Sequence, residues 1–246
     1  MDVMECRKRS SPLVLSFALR DYRVTVAYMK LSSSSFPRNG SIPERYAFCR
    51  IDAKSHIALA DNVNPQLSWN DAPPGTQSFV LICSDPDVPS RRDDVNQEGR
   101  HVPDSLPRVD FYHWTLINLA PEVSAIEEGA FSSGVTARGK SGPDAPMGTR
   151  QGINNYTAWF AADADMNGNY FGYDGPCPPW NDARVHRYIF TLYALDVRTL
   201  DLQDAFRAED VLEAIRDHVL AEASLIGTYT LNPALSAPTP PKAGLT

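Results

Sequence analysis

Three short blocks of this sequence carry side chains able to act together. The first is Cys83-Ser84-Asp85-Pro86-Asp87-Val88-Pro89, which holds two carboxylates in a chain stiffened by two prolines. The second, Phe111-Tyr112-His113-Trp114-Thr115-Leu116-Ile117-Asn118, sets one histidine among aromatic and apolar residues. The third runs from Tyr170 through Gly175-Pro176-Cys177-Pro178-Pro179 to His186-Arg187-Tyr188, a rigid loop feeding a strand. Imidazole N–H groups and a tyrosine hydroxyl donate to phosphate or carboxylate oxygens, while an aspartate fixes a histidine tautomer or receives an ammonium group. The same residue types serve as general acid and base. Taken singly each has an ordinary structural role: a histidine at a core edge, Asp85 and Asp87 capping a turn, Tyr188 in the core, Gly175 in a turn.

Two further stretches match known motifs without their context. Gly134 to Ser141 reads G-x-x-x-x-G-K-S, a phosphate-cradling pattern that needs a buried strand before it and a helix after it. Glu127, Glu128 and Gly129 precede it, and Pro143 and Pro146 follow, so a flexible basic loop is expected. Asp163 to Asp174 places oxygens at calcium-loop positions 1, 3 and 5, glycine at 6 and a carboxylate at 12. The last ligand is Asp rather than Glu, and Gly175 to Pro179 bars an exiting helix. The expectation is a turn in which Gly168 takes positive φ, with a non-helical calcium loop as the alternative.

The elements that must position the blocks are strands. Gln66–Trp69, Phe79–Ser84, Phe111–Asn118, Tyr156–Phe160 and His186–Leu195 are short apolar or aromatic runs bounded by turn residues. The runs over 78–84 and 188–195 are nearly continuous in apolar character and belong mid-sheet. Val88–Asp110 and Phe131–Asn155 read as long loops. Val211, Ile215 and Val219 recur every four residues, which predicts a C-terminal helix from about Glu209 to Leu225, stopped by Gly227.

The 246 residues contain 20 prolines against 14 glycines and are 43% hydrophobic, which favours one β-rich domain over a disordered chain. A formal charge of -7 argues against general attraction to nucleic acid or anionic membrane surfaces and leaves room for a local basic pocket. Nothing reaches the length of a membrane span, so no stable membrane insertion is expected. Cys6, Cys49, Cys83 and Cys177 form no C-x-x-C pair and are expected as reduced thiols. Arg7 to Arg9 followed by Leu13 to Leu19 resembles the start of a signal peptide, but Arg20 and Asp21 interrupt it, so a cytoplasmic address is expected. Residues 1–28 are expected as an extension of uncertain order, with Met29 as an alternative start, 29–231 as the domain and 232–246 as a loosely ordered tail.

In combination, Asp85-Pro86-Asp87-x-Pro89, His113-Trp114, Gly175-Pro176-Cys177-Pro178-Pro179 and His186-Arg187-Tyr188 resemble the phosphatidylethanolamine-binding protein family, which includes the Raf kinase inhibitor proteins. The Gly-Pro-Cys-Pro-Pro form and the long loops are similar to its bacterial branch. The resemblance runs from about Ser35 to Tyr229 and implies a mainly β fold of two packed, mostly antiparallel sheets with short helices and a C-terminal helix. It implies a small pocket lined by Asp85, His113 and His186, with Asp87, Pro89, Gly175, Cys177, Pro179 and Tyr188 in its walls. The implied partner is a small phosphorylated or carboxylated ligand such as a phospholipid head group, with a kinase or protease as the protein partner, no cofactor, and a monomer or homodimer. A pocket enzyme using Asp85, His113 and His186 is the alternative. The long insertion between Pro89 and His113 departs from the commonest family pattern, and Arg91 and Arg92 within it either extend the anion site or form a solvated pair.

Overall fold

The computed structural model describes residues 28–236. Its strands are β1 (Lys30–Ser32), β2 (Gly40–Ser41), β3 (Cys49–Asp52), β4 (His56–Leu59), β5 (Leu67–Asn70) and β6 (Ser78–Pro89), followed by β7 (Arg108–Leu119), β8 (Ala125–Ile126), β9 (Arg150–Gln151), β10 (His186–Leu195) and β11 (Val219–Tyr229). Two short α-helices, α1 (Tyr156–Trp159) and α2 (Ala208–Ala214), complete the main elements. Six strands form one sheet in the order β2-β11-β10-β6-β7-β9, antiparallel except for the β2–β11 pair. A second sheet runs β1-β5-β8, and β3 and β4 pair as a separate hairpin.

Strand β6 explains the continuous apolar run read from the sequence, because it is buried on both faces. Phe79, Leu81 and Cys83 face the larger core with Trp114, Leu116, Phe190 and Leu192, under the small sheet's Leu31, Leu67 and Trp69. Val80 and Ile82 face the other way, into a second cluster with Ile117, Phe206 and Val211 of α2. Period-two alternation thus feeds two cores from one strand.

The expected long C-terminal helix is corrected by this structure. Helix α2 ends at Ala214, and the segment from Val219 is the strand β11. The spacing of Val211, Ile215 and Val219 competes with a two-residue alternation of Ala223, Leu225, Gly227 and Tyr229, all buried on one face. The second pattern gains a full antiparallel ladder with β10, which a helix would forgo. Gly227 is no helix stop: a Cβ there would stand 2.5 Å from Ile42 Cγ1, so β2 can approach only a glycine.

Tyr156–Phe160, expected as a strand, is the single turn α1. Asn154 starts it by accepting the Tyr156 N–H on its side-chain oxygen, at 3.0 Å. The turn then places Tyr156 and Phe160 in a stacked pair, 5.6 Å apart.

The cysteine expectation is corrected for Cys49 and Cys177, which form a disulfide; Cys83 is free and buried, as expected, and Cys6 lies outside the described residues. Spacing along the chain carries no trace of this bond, since the partners are 128 residues apart and meet only when the hairpin of β3 and β4 docks against the Gly175–Pro179 loop. Residues 1–27 and 237–246 lie outside the described residues, and with them the expectations for the extension and most of the tail. Among the described residues no helix is long and apolar enough to cross a membrane.

Candidate ligand pocket

Antiparallel pairing places β6 between β10 and β7, so the carboxyl end of β6 meets the amino ends of both neighbours. Asp85, His186 and His113 are brought together there. Irregular register between Asp85 and Val88 re-aims the end of β6, as bulges beside sites commonly do.

His186 is fully buried between two carboxylates: Nδ1–H donates to Asp85 Oδ2 at 2.7 Å and Nε2–H to Asp182 Oδ2 at 3.1 Å. Arg108 closes the row by gripping Asp182 with two N–H groups, at 2.5 and 2.9 Å. Burial works against a charge on His186, but Asp85 and Asp182 outweigh it and raise the pKa from 6.5 to about 9. Asp182 is lowered: burial opposes this, and His186 and Arg108 prevail. The row is therefore carboxylate, imidazolium, carboxylate, guanidinium, and its formal charges cancel.

His113, only 3% exposed, is arranged differently. Its Nδ1–H donates to the Asp174 carbonyl oxygen at 2.7 Å, and burial holds its pKa below the usual value against the pull of Asp85. The ring is thus neutral with Nε2 as the unprotonated nitrogen, and among the described residues no protein group bonds to that atom. Asp174 is fixed in turn by Asn62 and Asn154, each donating at 2.7 Å, and by Lys140 at 3.0 Å. Tyr188, edge-on to His113 at 5.1 Å between ring centroids, presents a buried hydroxyl without a hydrogen-bond partner. Burial, the Asp85 charge and Tyr156 push that hydroxyl's pKa well up, so it stays protonated.

Asp85, His186, His113 and Tyr188 line a cavity of about 40 Å3. One water needs roughly 10–15 Å3 on the same measure, so the space suits a group of a few heavy atoms. Apolar residues make most of its wall, among them Val88, Pro89, Phe111 and Trp159.

A sequence profile described as phosphatidylethanolamine-binding protein matches residues 32–230. The chain belongs to the phosphatidylethanolamine-binding protein family. A UPF0098 protein of Methanothermobacter thermautotrophicus is 36% identical over 204 residues, covering 82% of this chain and 98% of that one. The UPF0098 protein YbhB of Escherichia coli is 29% identical over 202 residues, covering 82% of this chain and all of its own. Among solved structures, the homologue CT736 of Chlamydia trachomatis aligns with a TM-score of 0.56 and 31% identity, covering 82% of this chain and 97% of that one. Escherichia coli YbcL, at 22% identity, shares the fold with a TM-score of 0.59 over 83% of this chain and 99% of its own.

Within this family fold, Asp85, Pro89, His113, Cys177, Pro179, His186 and Tyr188 all line the cavity. Asp87 and Gly175 do not. Asp87 is turned to Arg187, which grips it at 2.8 and 3.0 Å, and to Arg184 at 3.2 Å; burial opposes ionisation, yet the arginines hold its pKa down. Gly175 acts from behind the wall, where a Cβ would stand 2.0 Å from the Tyr46 carbonyl oxygen. His186 lines the cavity with both N–H groups already committed, so it holds Asp85 in place and has no donor left for a ligand.

Several contributors escaped the sequence reading. Asp182 and Arg108 carry the charge row, and the spacing of Asp182 four residues before His186 was its one local sign. Tyr156 and Trp159 enter the wall only because α1 is a helical turn. The insertion between β6 and β7 folds back on residues 180–184, where Asn181 donates to the Asp94 carbonyl at 2.8 Å and Arg184 pairs with Asp104 at 2.6 Å. That docking brings Arg92 to the cavity.

The two motif matches have structural occupations. Lys140 bonds the Tyr173 carbonyl and the Asp174 carboxylate, supporting the loop behind His113. Asp163 accepts the Asp165 and Met166 N–H groups at 2.9 Å, which makes an Asx turn. Gly168 has no positive φ, contrary to expectation; it is required because a Cβ would stand 2.0 Å from the Arg138 carbonyl oxygen, where the two loops meet.

Proposed function

We propose that the cleft binds a small anionic group, a phosphate or carboxylate, and that the protein acts as a binding and regulatory module. The observation that carries this is the Tyr188 hydroxyl, buried without a partner beside the unbonded Nε2 of His113 in one cavity. The Asp85 carboxylate stands near this hydroxyl without making a hydrogen bond to it; a buried donor left unsatisfied costs about 1–3 kcal/mol, and a ligand oxygen recovers it. Inhibition of a kinase or protease, the partner class that the family resemblance implies, belongs to the same proposal, with the cleft receiving a phosphoryl or carboxylate group of the partner.

Binding is favoured over turnover by the state of His186. A histidine raised to about 9 with both N–H groups donated to carboxylates is a poor general base near neutrality. The free thiol Cys83 is buried, with burial and Asp85 pushing its pKa up, so it is a poor nucleophile.

Calorimetry with sulfate and acetate tests the proposal. Tyr188→Phe keeps the ring and removes the donor, so affinity for both ions should fall by about tenfold or more, the worth of a hydrogen bond to a charged group. Unchanged affinity would remove the hydroxyl from the site.

The same site predicts a pH dependence. Because Nδ1–H is spent on the Asp174 carbonyl, Nε2 donates to an anion only in the imidazolium form. The free ring has a lowered pKa and the bound anion raises it, so binding takes up a proton between the two values. Sulfate does not titrate near neutrality, and its affinity should fall by about tenfold per unit as pH rises through that window. His113→Gln should bind weakly and without this slope; a variant that keeps the slope would place the proton elsewhere.

A further inference from the structure

We infer that Arg92 makes this cleft select doubly charged phosphate monoesters over singly charged phosphodiesters and carboxylates. The inference rests on the anion reading above and names the ligand class. Arg92 belongs to the insertion between β6 and β7 and reaches the cavity wall from there. Its guanidinium carbon lies 4.0 Å from the centre of the Trp159 ring. Stacking of that kind uses the guanidinium face and leaves the in-plane N–H groups for a planar or tetrahedral anion.

The neighbouring cations are compensated and Arg92 is not. Arg100 pairs with Asp94 at 3.7 Å, Arg108 with Asp182 at 2.5 Å, Arg184 with Asp104 at 2.6 Å and Arg187 with Asp87 at 2.8 Å. Even Arg91, pointing to solvent, has Asp93 at 3.9 Å. Among the described residues Arg92 has no carboxylate within ion-pair distance, and its Nη1 reaches only the Trp159 carbonyl, at 3.5 Å.

The charge balance gives that free cation its consequence. The row from Asp85 to Arg108 sums to zero, and the chain as a whole carries -7, so neither favours a second negative charge in the cleft. Tyr188 and protonated His113 offer one donor each, which satisfies two oxygens and about one charge. A diester or a carboxylate has two such oxygens and one charge. A monoester presents a third oxygen and, above pH of about 6, a second charge. Arg92 is the group at the cavity that can receive both.

The test is calorimetry at a pH where the monoester is doubly charged, comparing phenyl phosphate with methyl phenyl phosphate, which share the ring and differ in charge and in a methyl group that caps one oxygen. Wild type should prefer the monoester by about tenfold or more. Arg92→Gln, at an exposed position, should bring the two affinities close together by weakening the monoester alone, and Arg92→Lys should restore part of the difference. If wild type binds both with equal affinity, or Arg92→Gln leaves the ratio unchanged, this inference falls while the anion site stands. If wild type binds neither, the anion reading falls and takes the inference with it.

Discussion

His186→Ala should destabilise the protein by about 3–5 kcal/mol at neutral pH, the usual result of removing one partner from a buried ion pair. Its imidazolium is the only cation paired to Asp85 among the described residues, and Asp85 itself is 1% exposed. Asp182 keeps Arg108 after the substitution, but Asp85 keeps only the Asp87 N–H at 2.8 Å. A bare carboxylate there must find a proton or draw water into the core.

The titration is more diagnostic than the loss itself. The folded pKa of His186 lies at about 9, above the 6.5 of the free side chain. A raised histidine contributes its full stabilisation below the lower value and loses it as pH climbs to the higher one. Urea unfolding of wild type should therefore show stability falling between about pH 6.5 and 9, with a ceiling of about 3 kcal/mol. On the acid side Asp182 and Asp87, both lowered, stabilise the fold above their unfolded pKa and lose that contribution as pH drops through the folded values. In His186→Ala the alkaline decline should vanish. A wild type with flat stability across the alkaline window would mean that His186 carries no raised pKa and that the row holds no imidazolium.

The strands β6 and β10 were legible in the sequence because a nearly unbroken apolar run, as over 78–84 and 188–195, marks a strand in the middle of a packed sheet; the structure buries β6 on both faces, while in β10 fully buried residues alternate with partly exposed ones. Seven residues that line the cavity were legible for a different reason, the resemblance of four short motifs within the three blocks to one family. What the chain could not reveal alone is where distant side chains settle. Asp87 has the same type and context as Asp85, yet one carboxylate meets Arg187 outside and the other meets His186 inside. Arg92 differs from Arg91 only in which way the insertion folds. The C-terminal helix was overextended because three apolar residues at helical spacing were weighed without the ladder that β10 offers to the alternating residues beyond them.

Breaking the Cys49–Cys177 bond, by reduction or by Cys49→Ser, should cost about 4–5 kcal/mol by the chain-entropy account, since the cross-link closes a loop of just over half the chain, its ends 128 residues apart. The local setting argues that the loss will reach the pocket. Pro176, Pro178 and Pro179 have no N–H to give, so this wall cannot be laced by a strand ladder. Beyond the disulfide, the Pro176 carbonyl receives the Phe48 and Cys49 N–H groups at 2.9 and 3.1 Å, and Cys49 receives the Tyr229 hydroxyl at 2.8 Å. The hairpin of β3 and β4 pairs with neither larger sheet, and the disulfide is its covalent tie to the wall. Such a bond persists in an oxidising environment. Guanidinium unfolding of oxidised and reduced protein, with sulfate calorimetry on both, would measure the two effects together. A midpoint shift with several-fold weaker sulfate binding supports the wall as a positioning element; a midpoint shift with unchanged binding would confine the disulfide to stability; no shift at all would mean that the two sulfurs are not bonded in solution.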